Sequence, residues 1–413
     1  MDRLRILFIT PYVPSPVRVR PYGFVTQLAR RGHRLTLLSA ATSKYDLEAA
    51  TALRPLCERL EVVPLSRFRA TLNCLRSIKS DLPFQSSYCY SPALRSRLAE
   101  LLTVRSEYDV AHVEHLRASL FGLDVEGIPR LYDAVDCISE LFEITQRHGA
   151  TWASRLAARI DLRRTRRFEA RLAQSFERTI VTSENESAAL SRLSPNGATA
   201  AAVVPNGVDL DYFTPSSAER ESATLLYVGR MSYHANVSAA FDLVQRIMPA
   251  VWAVRPDTQV VICGADPVRA LRRLAQRSGS RVTVTGTVAD VRPFLTRATI
   301  SVSPLRYGVG IQNKMLEAMA TATPIVASPA ACAGLAKPET ETWLVAADES
   351  AFAHQVLRLL DERELRERLG RTGRRYVEVH YDWNFIVERL EAAYRDAVSR
   401  FTMKRFREGT RVD

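Results

Sequence analysis

Short apolar runs alternate with amphipathic stretches along the whole chain. Each run ends in a polar turn, which is typical of a buried strand that leads into a helix. In the first half the predicted strands are Ile6–Thr10, Arg34–Ser39, Glu61–Pro64, Val110–Val113, Pro129–Asp133 and Thr179–Ser183. In the second half they are Leu225–Val228, Gln259–Gly264, Val282–Thr285, Ile300–Ser303, Pro324–Ala327 and Trp343–Val345. This repeated β-α-β order predicts parallel sheets with helices on both faces.

The amphipathic stretches between the runs predict helices, for example over Tyr22–Arg31 and Ala93–Leu102. Gly32 follows the first of them, where a C-cap glycine is expected. Turn chemistry after Val203 and a polar stretch up to Ser222 mark a domain boundary. We therefore predict an N-terminal domain over 1–206, a linker over 207–222, a C-terminal domain over 223–378, and a last segment, 379–413, whose helix returns to the N-terminal domain before a basic tail.

Composition and charge narrow the class of protein. The 413 residues carry a net charge of +12, which suits an anionic partner such as a nucleotide diphosphate, a lipid phosphate or a membrane surface. No nucleic-acid motif is present, so nucleic acid is not an expected partner. Six scattered cysteines and a first apolar run too short for a signal segment favour a cytoplasmic location, soluble or peripheral at the inner face of the plasma membrane.

The segment 301–320 has the strongest chemical signal. A strand and a turn with two glycines are followed by a helix predicted to start near Ile311 or Gln312. Ligands of open α/β sheets bind at strand carboxyl ends, beside helix N-termini whose dipole favours negative charge. Lys314 in the first helical turn and Glu317 three residues later would suit a phosphate and two ribose hydroxyls. A solvated Lys–Glu pair after a glycine turn is an equal alternative from spacing alone.

A second signal is the strand Leu225–Val228, which ends in Gly229 and Arg230. An arginine at a strand's carboxyl end points toward the ligand crevice, where its guanidinium can bind a diphosphate through two hydrogen bonds. An interdomain salt bridge is the alternative reading of Arg230.

Taken together, these segments resemble the retaining glycosyltransferases of family 4, and most closely a bacterial sugar-transferase subgroup linked to exopolysaccharide and exosortase loci. The resemblance implies an α/β protein of the GT-B fold, with two Rossmann-like doubly wound domains facing across a cleft. The segments that carry it are Gly310–Met319, Thr323–Ser328, Pro205–Asp209, Asp109–His115 and Tyr381–Trp383.

The resemblance implies a nucleotide-sugar site in the C-terminal domain. Glu317 matches the second carboxylate of the family's Glu-x7-Glu motif and is expected to bind the donor ribose, whereas the first position is Val309. Arg230 matches the diphosphate-binding arginine. The lysine that usually follows is absent near Asn236, and we hypothesise that Lys314 supplies the missing positive charge. The other predicted donor-binding residues are Gly229, Gly310, Ile311, Gln312 and Asn313.

In the N-terminal half the family usually carries His-x-His at a strand end. Here Glu114 has the place of the second histidine and His115 follows one residue later. Both are candidates for the neighbour of the donor sugar, with His115 favoured because histidine titrates near neutral pH. A structural cap on the strand is the alternative. In the loop before the first helix, Arg18 and Arg20 are candidates for a phosphate of donor or acceptor, and a solvated loop is as good a reading.

Two basic amphipathic segments, Ser66–Lys79 and Arg155–Arg178, are candidates for contact with an anionic membrane. Apolar stripes of this kind also pack helices onto a sheet, so both readings stay open.

The combined expectation is transfer of a sugar from a nucleotide diphosphate-sugar to a glycan or lipid-linked acceptor in polysaccharide or glycoconjugate biosynthesis. Retention of configuration is implied by the resemblance alone. No metal and no cofactor beyond the donor are expected, since the one Asp-x-Asp, Asp209–Asp211, lies in the linker. A nucleotide-sugar epimerase on the same fold and a non-catalytic nucleotide-sugar-binding subunit are the alternatives.

Overall fold

The computed structural model describes residues 3–103, 107–148, 152–193 and 200–409. The chain divides into two compact units. The first runs up to Glu143, continues over Arg155–Asn206 and resumes at Trp383, and the second comprises Ile144–Ser154 and Gly207–Asp382. The last residues of the predicted basic tail, 410–413, lie outside the described part of the chain.

The first unit contains a parallel sheet of seven strands in the order β3-β2-β1-β4-β5-β6-β7. Its strands are β1 Arg5–Thr10, β2 Arg34–Ala41, β3 Arg59–Pro64, β4 Val110–Glu114, β5 Arg130–Val135, β6 Arg178–Val181 and β7 Ala202–Val203. The helices of this half of the chain are α1 Val19–Arg30, α2 Lys44–Leu53, α3 Arg67–Ser77, α4 Phe84–Tyr88, α5 Pro92–Leu101, α6 His115–Leu123, α7 Ile138–His148, α8 Trp152–Ser175 and α9 Glu184–Arg192.

The second unit contains a parallel sheet of six strands in the order β10-β9-β8-β11-β12-β13. Its strands are β8 Thr224–Val228, β9 Gln259–Cys263, β10 Val282–Gly286, β11 Ile300–Ser303, β12 Ile325–Ala327 and β13 Leu344–Val345. Its helices are α10 His234–Asp242, α11 Met248–Val254, α12 Arg269–Arg277, α13 Arg292–Arg297, α14 Asn313–Ala320, α15 Pro329–Cys332, α16 Glu349–Asp361 and α17 Arg363–His380, and the chain ends with α18 Trp383–Gly409 in the first unit.

The first sheet has an apolar core on each face, and successive residues of a strand belong to these two cores in turn. In β1, Leu7 and Ile9 belong to one apolar core, whereas Ile6 and Phe8 belong to the core on the other face. Successive strand residues point to opposite faces, so a strand buried on both sides has an unbroken apolar sequence. Helix α18 packs on the second of these cores through residues such as Trp383. The prediction of doubly wound parallel α/β sheets is confirmed.

Helix α1 begins earlier than predicted. It starts at Val19, and Pro21 lies in its first turn. Proline is compatible with that turn, because its missing N–H would have no partner inside the helix. Gly32 has φ +83°, as expected of a glycine that ends a helix.

One described stretch, His234–Val254, is long and apolar enough to cross a membrane, with mean hydropathy 1.2. Forty-four per cent of that window is buried inside the protein, and core helices of soluble proteins meet the same criterion, so the indication is weak.

Candidate functional site

Each sheet has one point where the strand order reverses direction. In the first unit the reversal lies between β1 and β4, and in the second between β8 and β11. The loops after two such strands diverge and leave a crevice at the carboxyl edge, which is where open α/β sheets bind ligands. The predicted site residues of each half follow these strands.

At the end of β8 the chain is held very close to the end of β9. The N–H of Gly229 donates to the carbonyl of Cys263 at 3.0 Å. A Cβ on Gly264, whose φ is +150°, would lie 1.8 Å from the carbonyl oxygen of Gly229. Arg230 follows, largely exposed, and donates to the carboxylate of Asp266 at 2.9 and 3.1 Å. The guanidinium of Arg230 is thus held at the crevice by a solvent-exposed carboxylate that an anion could replace.

The loop between β11 and α14 is also shaped by close backbone contacts. Gly310 has φ +65°, and a Cβ on Gly334 would lie 2.2 Å from the Gly310 carbonyl oxygen. Helix α14 begins at Asn313 with Gln312 as its N-cap, one or two residues later than predicted. The side chain of Ile311 packs into the core, so only its backbone is available to a ligand.

Lys314 reaches from α14 across to α10. Its Nζ donates to Oδ1 of Asn236 at 2.8 Å and lies 4.9 Å from the centre of the Tyr227 ring. The hydroxyl of Tyr227 donates to the same Oδ1 at 3.1 Å, and the amide nitrogen of Asn236 donates to the carbonyl of Arg230 at 3.2 Å. The ammonium of Lys314 therefore lies beside the position at which the resembled family carries its lysine.

Burial lowers the pKa of Lys314 to about 7 and raises the pKa of Glu317 to about 7, while each side chain favours the charged form of the other. The contacts of the Lys314 ammonium are an amide oxygen and an aromatic ring, neither of which carries a formal charge. Because burial also disfavours the charged form of the Glu317 carboxyl, a bound phosphate would add negative charge beside the Lys314 ammonium.

In the first unit, β4 ends at Glu114 and α6 begins at His115. Glu114 is 8% exposed, and burial with the nearby Asp133 carboxylate raises its pKa to about 8. His115 has φ +66°, and its Nδ1 accepts a hydrogen bond from the Arg117 N–H at 3.1 Å. His115 was favoured because histidine usually titrates near neutral pH. That reason is wrong here, because burial and the Arg117 charge lower the pKa of His115 to about 3 and keep the ring neutral.

The prediction that Arg20 lies in a loop and is available to a phosphate is wrong. Arg20 lies in α1, is 4% exposed, and donates through Nε and Nη2 to Asp133 at 2.7 and 2.9 Å. Its Nη1 donates to the carbonyl of Val204 and to Oδ1 of Asn206. Arg18, by contrast, stays partly exposed before the helix.

Sequence reasoning missed a buried polar cluster behind the strand ends. His112 is fully buried, its Nδ1 lies 2.9 Å from the Tyr394 hydroxyl, and its Nε2 lies 3.6 Å from Asp133. It also missed Tyr12, whose ring lies close to the guanidinium groups of both Arg18 and Arg117, and it missed Arg117 itself. A cation in the first turn of a helix after a strand was the available signal for Arg117, and it is the signal that identified Lys314.

Comparisons with known proteins agree with this arrangement. The sequence model of the family "Glycosyltransferase Family 4" matches residues 18–212, and that of "Glycosyl transferases group 1" matches residues 222–362.

A GDP-mannose-dependent monoacylated alpha-(1-6)-phosphatidylinositol monomannoside mannosyltransferase of Corynebacterium glutamicum is 31% identical over 207 residues, which span 45% of this chain and 54% of that protein. A GDP-mannose-dependent alpha-(1-6)-phosphatidylinositol monomannoside mannosyltransferase of Mycobacterium tuberculosis is 28% identical over 208 residues, with the same coverage. The match thus spans about half the length of these curated relatives.

Solved structures share the fold at low identity. Sucrose-phosphate synthase from Thermosynechococcus elongatus superposes with a TM-score of 0.72 at 20% identity, over 96% of this chain and 99% of that one. HepE from Anabaena, in complex with UDP and glucose, superposes with a TM-score of 0.68 at 15% identity, over 94% and 99%. The lipopolysaccharide glycosyltransferase WaaG superposes with a TM-score of 0.62 at 15% identity, over 94% and 98%.

Proposed function

The chain belongs to the family 4 glycosyltransferases of the GT-B fold, and from that premise we propose that it transfers a sugar from a nucleotide diphosphate-sugar to a glycan or lipid-linked acceptor. The donor class is supported by the matched mannosyltransferases, which use GDP-mannose, and by HepE, which was solved with UDP and with UDP-glucose.

The contact between Lys314 and Asn236 carries this proposal. Asn236 lies where the family's second diphosphate-binding cation is expected, and Lys314 Nζ is 2.8 Å from its side-chain oxygen. In this proposal the cation is supplied from α14 instead of α10, and it lies beside the side chain of Asn236. Arg230, whose carbonyl accepts a hydrogen bond from Asn236, adds the second positive charge at the same edge.

The chemistry that these groups support is stabilisation of the leaving nucleotide diphosphate. As the sugar departs, negative charge grows on the diphosphate, and fixed cations together with the α14 N-terminus stabilise it without further reorganisation. We propose that these charges make a metal unnecessary and that the transfer retains configuration, as the family resemblance implies. Activity that survives EDTA would support the first part, and activity abolished by EDTA would contradict it.

The experiment is a nucleotide-binding panel on the wild type and four variants. GDP, UDP, GDP-mannose and UDP-glucose are screened by thermal shift, because a ligand that binds the folded state raises its melting temperature. Lys314→Ala should weaken binding of the preferred nucleotide at least tenfold, whereas Lys404→Ala, which removes an exposed lysine of α18, should leave it unchanged. In the double variant Lys314→Ala/Asn236→Lys the cation returns to its usual position, and binding should partly recover.

The same panel separates the rival functions. If no nucleotide binds, or if Lys314→Ala and Glu317→Gln change nothing, the chain is a non-catalytic subunit and the proposal fails. Product analysis after incubation with the donor alone completes the test, because conversion to another nucleotide sugar without any acceptor would identify an epimerase.

We further propose that the first unit contacts an anionic membrane at the inner face of the plasma membrane. The C-cap of α3, Ile78, accepts a hydrogen bond through its carbonyl from Arg164 of α8 at 2.7 Å, so the two predicted segments form one surface. Phe68 is 81% exposed and Ile78 53% exposed, and on α8 Ile160 is 52% exposed. Exposed arginines and a lysine accompany them, namely Arg69, Arg76, Lys79, Arg155, Arg159 and Arg163.

Apolar side chains between basic ones are suited to the headgroup layer, where each basic residue contributes about 1 kcal/mol of attraction. Sedimentation with phosphatidylcholine vesicles, with and without phosphatidylglycerol, tests the surface. Phe68→Ser/Ile78→Ser should reduce binding to the anionic vesicles, whereas Phe406→Ser, at an exposed aromatic of α18, should not. Equal binding by all three proteins would contradict membrane contact through this surface.

A further inference from the structure

Two guanidinium groups face one aromatic ring at the carboxyl edge of the first sheet. The Cζ of Arg18 lies 4.9 Å from the centre of the Tyr12 ring, and the Cζ of Arg117 lies 5.6 Å from it. Arg117 Nη1 also donates to the Tyr12 hydroxyl at 3.3 Å. The two positive charges can therefore be no more than about 10.5 Å apart, beside the point where β1 and β4 diverge.

Of these two arginines, only Arg18 forms an ion pair with a carboxylate of the described residues. Asp46, fully buried, accepts from Nη1 of Arg18 at 2.7 Å, and the same nitrogen donates to the carbonyl of Val13. Within the described residues no carboxylate pairs with Arg117, and the Nε and Nη2 atoms of Arg18 have no hydrogen-bond acceptor. Arg117 also lies in the first turn of α6, where a cation opposes the helix dipole.

A buried carboxyl group adds an independent sign of a ligand. Glu114 is 92% buried from solvent, and in the described part of the chain its carboxyl group has no hydrogen-bond partner. The charged groups that act on it are Asp133 of β5, Arg20 of α1, Arg18 and Arg117. Its pKa is raised to about 8, so at neutral pH the group is mostly protonated and can donate a hydrogen bond.

The backbone around these groups is strained. His115 and Val135 both have positive φ, +66° and +65°, and a β-branched residue rarely adopts that conformation. Because Nδ1 of His115 accepts the Arg117 N–H, the neutral ring carries its proton on Nε2 and offers a second donor. Strain of this kind persists where the surrounding structure holds a functional group in a fixed direction.

We propose that Tyr12, Arg18, Glu114, His115 and Arg117 form a site for the phosphate group of the acceptor. The two guanidinium groups supply charge, and the Glu114 carboxyl and His115 Nε2 donate hydrogen bonds to phosphate oxygens. This inference rests on the sugar transfer proposed above and names the class of acceptor: a molecule that carries a phosphate near the hydroxyl that receives the sugar.

Glycerol 3-phosphate serves as the probe, with its dissociation constant measured by titration calorimetry. Arg117→Ala should weaken binding at least tenfold, and Arg117→Lys should retain most of it because the charge remains. The matched control is Arg95→Ala, which removes an exposed arginine paired with Asp124 and should change nothing. A thermal melt of each variant shows whether it is folded.

A second readout depends on Glu114. Above about pH 8 its ionisation should repel the phosphate and weaken binding by the wild type, and Glu114→Gln should remove this loss while keeping the affinity found at pH 7. A purely structural Glu114 would not produce this difference. Phosphatidylglycerol vesicles that displace the probe would identify a lipid headgroup as the source of the phosphate, and failure to displace it would identify a soluble phosphate ester.

Nucleotide binding separates this inference from the proposed function. Arg117→Ala should bind the preferred nucleotide as the wild type does, and Lys314→Ala should bind glycerol 3-phosphate as the wild type does. Absence of saturable binding by the wild type, or equal affinity of the wild type and Arg117→Ala, would overturn the acceptor site, while nucleotide binding that depends on Lys314 would leave the proposed transfer standing.

Discussion

Replacing Arg20 by alanine tests whether this arginine is structural, as its contacts indicate, or ligand-binding, as its sequence position suggested. The guanidinium makes four hydrogen bonds, two of them to Asp133, which is fully buried. Its Cζ also lies 4.7 Å from the centre of the Phe24 ring. The alanine variant would leave the Asp133 carboxylate buried without its cation.

The expected loss of stability follows from that burial. Breaking a buried ion pair by removal of one partner costs about 3–5 kcal/mol, a large part of the 5–15 kcal/mol that typically separates folded from unfolded protein. Part of this free-energy cost can be worked out from the carboxyl of Asp133, whose pKa is lowered to about 2. A carboxyl whose pKa is lowered from its usual value near 4 to about 2 contributes roughly 2–3 kcal/mol at pH 7.

The pH dependence gives a second, signed test. The Asp133 contribution in the wild type is fully present above about pH 4, the unfolded-state pKa, and is lost as pH falls toward 2. Without Arg20, burial should raise the pKa of Asp133 above its unfolded value, so the variant binds a proton on folding and gains stability relative to the wild type as pH falls. The difference between the two proteins should therefore be largest near pH 7 and should shrink in acid.

Urea denaturation at pH 7 and at mildly acidic pH measures both effects. The control is Arg34→Ala, which breaks an exposed pair with Glu58 and should cost far less stability than Arg20→Ala at pH 7. If Arg20→Ala lost less than about 1 kcal/mol but bound donor or acceptor more weakly, the structural assignment would be wrong, and of the two readings of the sequence the phosphate-binding one would be right.

Three further predictions concern other parts of the molecule. Binding of GDP or UDP at pH 8 should be coupled to proton uptake, because burial lowers the pKa of Lys314 to about 7 and a bound phosphate favours its charged form. Calorimetry in buffers of different ionisation enthalpy should detect this uptake in the wild type and not in Lys314→Ala. Gly264→Ala should destabilise the second unit by more than about 2 kcal/mol and weaken nucleotide binding, since its Cβ would clash with Gly229, whereas Gly279→Ala, at φ +63° with open space around it, should cost only about 1–2 kcal/mol in a thermal melt. Gly23→Ala should lower the melting temperature by loosening α18, because the new Cβ would lie 2.2 Å from the Trp383 ring; an unchanged melt would show that the ring moves aside freely.

The sheets could be predicted from the sequence because a parallel strand buried on both faces is an unbroken apolar run. Helix starts were less predictable. Pro21 looked like a boundary, yet it lies within the first turn of α1. A first turn has no internal acceptors for its N–H groups, so the sequence alone does not distinguish proline inside that turn from proline before it.

The partners of buried charges could not be predicted. Arg20 and Asp133 are 113 residues apart, and nothing local in either segment indicates that they meet. The low pKa of His115 could not be predicted either. It depends on burial and on the nearby Arg117 charge, and both effects need the folded packing of β4 and α6. Residue type alone gave the ordinary pKa of histidine, which the folded protein does not keep.

One local feature, a cation in the first turn of the helix that follows a central strand, occurs in both units. β4 and β11 hold equivalent places beside the reversal of strand order, and each is followed by a helix with a cation in its first turn, Arg117 in α6 and Lys314 in α14. The helix dipole disfavours both positions, so each cation needs a compensating negative charge. At Lys314 the Glu317 carboxyl and, in our proposal, the donor diphosphate supply that charge, whereas Arg117 forms no ion pair with a carboxylate of the described residues. A cation in the first turn of the helix after a central strand therefore marks Arg117 as it marks Lys314, and in our proposals the two anions of a sugar transfer, on donor and acceptor, occupy the same structural position in successive units.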